Sequence, residues 1–343
     1  MTMVKNELRV GIQLLIICVG MLPAQDVAAL VRDGQAKAER REFTAALEPL
    51  NRVLAQDPRN FEARRWRGHC LTALGSHERA LMDLDVAIQV DGQDAWVWYT
   101  RGMAKHHLNR HKEAIADYTA ALARDPSNHK AIEWRGLNRD RLGDHLGAYM
   151  DFTGALKLDP ANPWVFHARA RAALSLGALD RARDDLESAV RLDAMDAESH
   201  VQLGFLHVAT GNDTAALASL DRAYAVDPKR LDYARLWRYW LQARHGKLGV
   251  DARDELPTKK WTGDLAKVLL GELTRARLLL RLSAYNVTLK KLSARRCEAA
   301  FYLGIRALIV GRPYRARESF RDALVFGDAS MPEWRAARRL VKR

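Results

Sequence analysis

Cysteine is nearly missing from this chain: Cys18, Cys70 and Cys297 are the full complement in 343 residues. They form no CxxC pair and fall at no metal-ligand spacing, which excludes a disulfide framework and a cysteine-bound zinc. Also absent are the phosphate-cradling GxxxxGK, the GxSxG nucleophile elbow and the HExxH zinc helix. His106, His107 and His111 come nearest to a ligand set, since the last two are four apart. No further ligand completes them, so they are expected to be a solvated helix end. No catalytic residue, cofactor or metal is therefore expected, and the chain is read as a non-enzyme. The apolar run at residues 10–22 has thirteen residues, too few for a bilayer-spanning helix, which needs roughly 20.

What the chain does have is apolar content and an uneven charge. Hydrophobic residues make up 48%, enough for ample burial in one domain, two domains or a repeat array. The net charge is +13, and it lies in the last third. Residues 231–343 hold 25 Lys and Arg against 11 Asp and Glu, whereas residues 1–230 hold 30 against 31. Such asymmetry points to an anionic partner for the C-terminal third. At the other end, Lys5 and Arg9 precede the apolar run and Pro23-Ala24-Gln25 follows it. That is the layout of a signal peptide over residues 1–24 with cleavage near Ala24. Export to the periplasm or envelope is expected; an uncleaved anchor or a buried helix are the alternatives. Leu15-Ile16-Ile17-Cys18 is like a lipobox, but Ile17 fills the small-residue position, so a lipid anchor at Cys18 is the lesser expectation.

Residues 95–128 hold a template that recurs. Stepping by 34 gives starts at 27, 61, 95, 129, 163 and 197 with no insertion, and a fixed period of this length marks a repeat architecture. The eighth position reads Gly34, Gly68, Gly102, Gly136, Ala170 and Gly204, and the twentieth is alanine throughout, from Ala46 to Ala216. Small residues at both places let two helices approach closely. The twenty-fourth reads Leu50, Leu84, Tyr118, Phe152, Leu186 and Leu220, large enough to fill the space beside the crossing, and Trp98 is expected to fill it as well. Arg67, Arg101, Arg135 and Arg169 stand at position seven of the four inner units, and Asp83, Asp117, Asp151 and Asp185 at position twenty-three of the same four. The outer two units lack both members, so each arginine is expected to bond the aspartate on its own partner helix. These eight charges are assigned to structure.

The small-residue, aromatic and proline positions together resemble the tetratricopeptide repeat (TPR) family over residues 27–230. The resemblance implies an all-α fold, a right-handed superhelix (α-solenoid) of antiparallel helix pairs in which each unit is stabilised by its neighbours. Six tandem units would occupy residues 25–230, followed by a basic helical C-terminal region over residues 231–343. It further implies that the first helix of each unit lines a concave groove. Residues three and four apart share a helical face, and that stripe interleaves rings with cations. Arg65, Trp96, Tyr99, His106, Lys130, Glu133, Trp164, His167 and Arg171 fall on it, with Trp66 and Trp134 one position away. Such a surface suits an extended peptide or helix of a partner protein, and a non-catalytic adaptor or scaffold is the expected function.

After residue 230 the register lapses for two units' length. Residues 231–246 read as an amphipathic helix ended by Gly246, and residues 251–263, with Pro257, as a loop. Asp264 is expected to cap one helix running to Leu280. A last TPR-like unit follows at residues 297–330, where Gly304, Gly311, Ala316, Phe320 and Ala323 regain the register. Lys290, Lys291, Arg295, Arg296, Arg312, Arg315, Arg317 and Arg321, with the tail from Arg335 to Arg343, form a basic patch. It would suit an anionic membrane surface or an acidic protein, with nucleic acid the least favoured partner because export removes the chain from it. Leu236-Trp237, Arg244-His245-Gly246, Trp261, Gly263, Leu270-Gly271, Cys297-Glu298, Phe301-Tyr302-Leu303-Gly304 and Glu333 resemble the periplasmic TPR adaptors of peptidoglycan hydrolases, some of them lipoproteins. That resemblance implies an envelope adaptor. Two alternatives stand beside it: a self-associating structural protein whose groove holds its own C-terminal helix, and an intracellular RNA-associated helical repeat protein.

Overall fold

A computed structural model describes residues 24–228, 231–245, 256–257, 260–284, 288–309, 312–328 and 331–341. Among them are eighteen helices and no strand. The expected signal peptide, the lipobox at Cys18, Gly246, Gly311 and the side chain of Lys290 lie outside the described residues. The chain divides into two compact units, Met1–Leu158 and Asp159–Arg343.

The first unit is four consecutive helix pairs: α1 (Ala24–Glu39) with α2 (Phe43–Gln56), α3 (Phe61–Ala73) with α4 (His77–Val90), α5 (Ala95–His107) with α6 (His111–Arg124), and α7 (His129–Arg141) with α8 (His145–Leu158). The sequence punctuates them regularly. Asn60, Asp94 and Asn128 each accept a backbone N–H of the following first turn, a cap worth about 1 kcal/mol apiece. Within a pair the turn needs a left-handed residue, met by Gly143 at φ 85° and by Asn109 at φ 59° in the template unit.

Close approach explains the small residues. A Cβ on Gly102 would lie 2.8 Å from Tyr118 Cε1, and Tyr118 is fully buried with Ala114 and Ala121. Leu84 covers Gly68 in the same way, and Phe152 covers Gly136. Trp98 packs against the buried cluster of Ala114, Tyr118, Ala121 and Ala131, as expected. Its indole NH donates to Gly92 O at 2.9 Å, and its ring lies between the guanidinium groups of Arg101 and Arg124, 4.7 and 4.8 Å from the centroid.

The second unit opens with two ordinary pairs, α9 (Pro163–Ser175) with α10 (Leu179–Leu192) and α11 (Ala197–Thr210) with α12 (Asp213–Val226). Three helices then occupy the stretch where the register lapses: α13 (Asp232–Arg244), α14 (Lys260–Leu270) and α15 (Arg275–Ala284). The expected single helix from Asp264 to Leu280 is therefore two helices, broken at Gly271 with φ 80°, and residues 260–263 are helix instead of loop. Asp264 lies inside α14 and not ahead of it, where it is buried and ion-paired with Arg281. α16 (Leu289–Ile309) and α17 (Pro313–Phe326) form the last pair, but α16 has 21 residues and begins ahead of the expected unit start at 297. α18 (Pro332–Val341) ends the described chain.

One aromatic core holds α11 to α18 together. Trp237 stacks on Phe301 at 5.0 Å, and both are fully buried with Trp240, Tyr302 and Phe320. Each such side chain contributes about 2–3 kcal/mol on burial. The tail joins this core instead of lying in solvent. α18 packs on α11, α16 and α17, Arg335 is buried, and Arg339 Nη1 donates to Val208 O at 2.6 Å. Arg335 and Arg339 are thus withdrawn from the expected basic surface, whereas Arg338 stays exposed and residues 342–343 lie outside the described residues.

Candidate protein-binding surface

The inner charges of the repeats fix the helices that carry the surface side chains. Arg67, Arg101 and Arg135 each grip the aspartate sixteen residues on with two nitrogens, at 2.7–3.1 Å. In the second unit Arg169 does the same to Asp185 at 2.9 and 2.6 Å. The sequence did not disclose two additions. Arg64, Lys105 and Arg139 supply a second cation to Asp83, Asp117 and Asp151. In the opposite direction Arg67 reaches Asn51, Arg101 reaches Asp85 and Arg135 reaches Thr119. Since these acceptors sit on the second helix of the preceding pair, each of these three arginines ties its own pair to the one before it. Position twenty-five, where the acceptors recur, carried the signal.

On the first helices of the first unit, the predicted ring residues gather into two platforms. Trp66 of α3 and Trp96 of α5 meet at 5.1 Å, and the Arg65 guanidinium lies 5.5 and 4.8 Å from their centroids. Arg65 Nε is 3.1 Å from Asp94, the cap of α5, and its Nη1 is 3.1 Å from Glu62. The cation is thereby neutralised and held over the rings. His69, which falls on the same stripe, packs on both tryptophans and on Phe43. Burial lowers its pKa, so it is a neutral ring at pH 7.

The second platform joins Tyr99 and His106 of α5 to Trp134 of α7. His106 sits 4.8 Å from Trp134, and burial pushes Tyr99 up to about 12 with its hydroxyl beside the Trp134 indole. His106 and His111 both place Nδ1 on Asn138 Oδ1, at 3.0 and 2.8 Å. That overturns the expectation of a solvated helix end for these two, because a buried amide organises them; His107 remains exposed, stacked on His77 at 4.8 Å. Burial lowers the His106 pKa despite the Asn138 bond. Glu133 departs from its expected place as well: it is 4% exposed, and Lys130 Nζ lies 3.1 Å away. Lys130 itself is exposed.

In the second unit, Trp164 is 44% exposed, Arg171 is exposed, and His167 bonds Ser199 Oγ at 2.7 Å. Of the basic patch, Lys291, Arg296, Arg312, Arg315, Arg317 and Arg321 are exposed on α16, α17 and the turn between them. Arg295 is drawn inward over the Trp261 ring at 5.5 Å. Tyr314 and Val325, 88% and 76% exposed, lie on α17 among these arginines.

Family comparison agrees with this geometry. Models described as tetratricopeptide repeat match residues 32–95, 95–128 and 167–230. The chain is a tetratricopeptide repeat protein. Solved TPR folds resemble it along most of their own length. PilF of Pseudomonas aeruginosa aligns at TM-score 0.54 with 19% identity, over 64% of this chain and 98% of that one. PilW, described as a widely conserved type IV pilus biogenesis factor, aligns at 0.52 with 22% identity, over 60% and 96%. A TPR protein from Parabacteroides merdae aligns at 0.50 with 14% identity, over 93% and 98%. At these identities the likeness is one of fold. TPR arrays are generally non-catalytic modules that bind protein or peptide partners, and this chain is a protein-interaction repeat scaffold.

Proposed function

We propose that this TPR protein is an adaptor of the bacterial cell envelope that holds an extended segment of a partner protein against the first helices of its N-terminal unit. The observation that carries the proposal is the Arg65-clamped pair of Trp66 and Trp96, continued by Tyr99 and His106 of α5 and Trp134 of α7. Because Asp94 and Glu62 already neutralise Arg65, the platform offers ring faces and no surplus charge. It therefore favours apolar or aromatic side chains spaced along a strand of partner chain over an acidic motif. The test is affinity capture from the native compartment with wild type and the Trp66→Ala/Trp96→Ala variant in parallel. Partners retained by wild type and lost by the variant support the site, and an unchanged partner set overturns it.

Envelope location rests on the N-terminal charge and apolar pattern. A mature N-terminus near residue 25 by mass spectrometry supports export, and an intact Met1 argues for the intracellular alternative. The exposed arginines of α16 and α17, with Tyr314 and Val325 among them, would hold the protein at an anionic surface. Sedimentation with phosphatidylglycerol vesicles should fall steeply with added salt. Self-association through the C-terminal helix has less support, because α18 packs within its own chain.

A further inference from the structure

Two adjoining cavities of the C-terminal unit differ in their lining. One, of about 510 Å³, is an apolar trough between α15, α16 and α17, walled by Leu279, Leu282, Leu292, Ala299, Ala300 and Phe326. The other, of about 580 Å³, reaches Val268 of α14 and carries Arg306, Arg312 and Arg315 with Thr274. Arg275, Leu303 and Ser319 belong to both, so the apolar trough meets the arginine-lined cavity along a shared wall.

The trough is open to solvent, since Leu279 is 46% exposed while Leu282 on the same helix is buried. Arg296 lies over the Phe326 ring, 5.6 Å from its centroid. In the neighbouring cavity the arginines are placed by the fold but not neutralised by it. Arg306 passes across Gly271, whose left-handed φ of 80° leaves no Cβ in its way, and its Nη1 donates to Leu269 O at 3.1 Å. Arg275 is paired with Asp322 at 3.2 Å. Among the described residues no carboxylate pairs with the guanidinium of Arg312 or Arg315, and both side chains are exposed. Over the two cavities five arginines face two carboxylates, Glu318 and Asp322. That surplus suits an anion, for which guanidinium groups match phosphate oxygens in pairs. The trough beside it suits hydrocarbon.

We propose that the two cavities together bind one molecule of an anionic phospholipid, with its phosphate at Arg306, Arg312 and Arg315 and one acyl chain along Leu279, Leu282, Leu292 and Leu303. Each cavity has the volume of a small-molecule site. An acidic protein segment would use the arginines but leave the leucine trough to water. The inference rests on the reading of α16 and α17 as a contact for an anionic surface, and sharpens it: the lipid occupies a discrete, saturable site instead of being held by diffuse charge.

Titration calorimetry on the full chain tests it with three probes kept below micelle-forming concentration: lauroyl-lysophosphatidylglycerol, glycerol phosphate as the head alone, and monolaurin as the chain with an uncharged head. The lysolipid should bind one to one with a dissociation constant on the order of 10 μM, and each half at least about thirtyfold more weakly. This comparison needs wild type only. Arg312→Gln/Arg315→Gln should weaken the lysolipid at least about tenfold and leave monolaurin unchanged. Arg317→Gln/Arg321→Gln, whose arginines line neither cavity, should lower sedimentation with phosphatidylglycerol vesicles and spare lysolipid affinity. Equal binding of glycerol phosphate would make this a free-phosphate site, and equal binding of monolaurin a plain apolar one. Displacement of the lysolipid by hexaglutamate at equal concentration would assign the cavities to an acidic protein segment. Each of these results overturns the proposal, as does a lysolipid affinity that follows the second arginine pair instead of the first. Absence of saturable lysolipid binding while vesicles still sediment overturns the proposal and spares the surface reading. One-to-one lysolipid binding without vesicle sedimentation overturns the surface reading alone.

Discussion

Replacing arginine at the seventh position should cost very different amounts in different repeats. Asp117 is 2% exposed and bonded by Arg101, but Lys105 Nζ also stands 2.9 Å from it. Asp185 is 4% exposed, and among the described residues only Arg169 reaches it. Arg169→Ala therefore leaves a buried carboxylate without a cation, at about 3–5 kcal/mol. Arg101→Ala leaves Asp117 its lysine and removes the bond to Asp85, which is 53% exposed on its side chain and loses little. We expect about 1–2 kcal/mol there. Repeat arrays open locally, so hydrogen exchange is the suitable assay. Each 1.4 kcal/mol is a factor of ten in an opening constant. Protection in α9 and α10 should fall about a thousandfold in Arg169→Ala, and that in α5 and α6 by about tenfold in Arg101→Ala. Equal losses, or a larger loss in Arg101→Ala, would refute the idea that the second cation is what protects the inner repeats.

Gly102→Ala should lower stability by about 1–3 kcal/mol through overpacking against Tyr118, read as a fall in the melting temperature of the first unit; an unchanged melt would mean that the crossing has slack. Burial pushes Glu333 up to about 7 in the folded chain, above the ordinary carboxylate range, so its contribution is fully present below the unfolded value and is lost as pH rises through 7. The C-terminal unit should accordingly weaken by a few kcal/mol between pH 5 and 8, and Glu333→Gln should flatten that slope; a persisting slope would assign it to another group. For His69 and His106, burial depresses the pKa, so their contribution is present above the unfolded pKa and lost as pH falls through the folded one. Imidazole NMR titrations should place both midpoints below the ordinary histidine value, and a midpoint for His106 at or above that value would contradict the effect of burial.

The repeat frame was legible in the sequence because small and large residues alternate at fixed offsets and because Arg and Asp vanish together from the outer units. Their joint presence follows from geometry: sixteen residues separate the two, one helix and a turn apart, on facing sides of a pair. Lys105 and Arg64 were less visible because a cation four residues after, or three before, the arginine looks like ordinary surface charge. The platforms were legible as a stripe, but their division was not. Asp94 reads as a helix cap and Asn138 as a polar residue in a helix, and only the folded chain puts the first beside Arg65 and the second between two histidines. In the C-terminal third, Gly271 marked the break that a periodicity count ran through. The burial of Glu333 and Arg335 had no local signal, since it depends on α18 returning to α11 across more than a hundred residues.

Binding of polypeptide is the function proposed for the tryptophan platform. Peptides selected from a random library on the wild-type protein, with their affinities measured by fluorescence polarisation, give the most direct test. Trp66→Ala/Trp96→Ala should weaken the selected peptides by about a hundredfold or more, as expected for two ring anchors worth at least about 2 kcal/mol each before coupling, with helical content preserved. Unchanged affinity in a fully helical double variant would contradict the central claim.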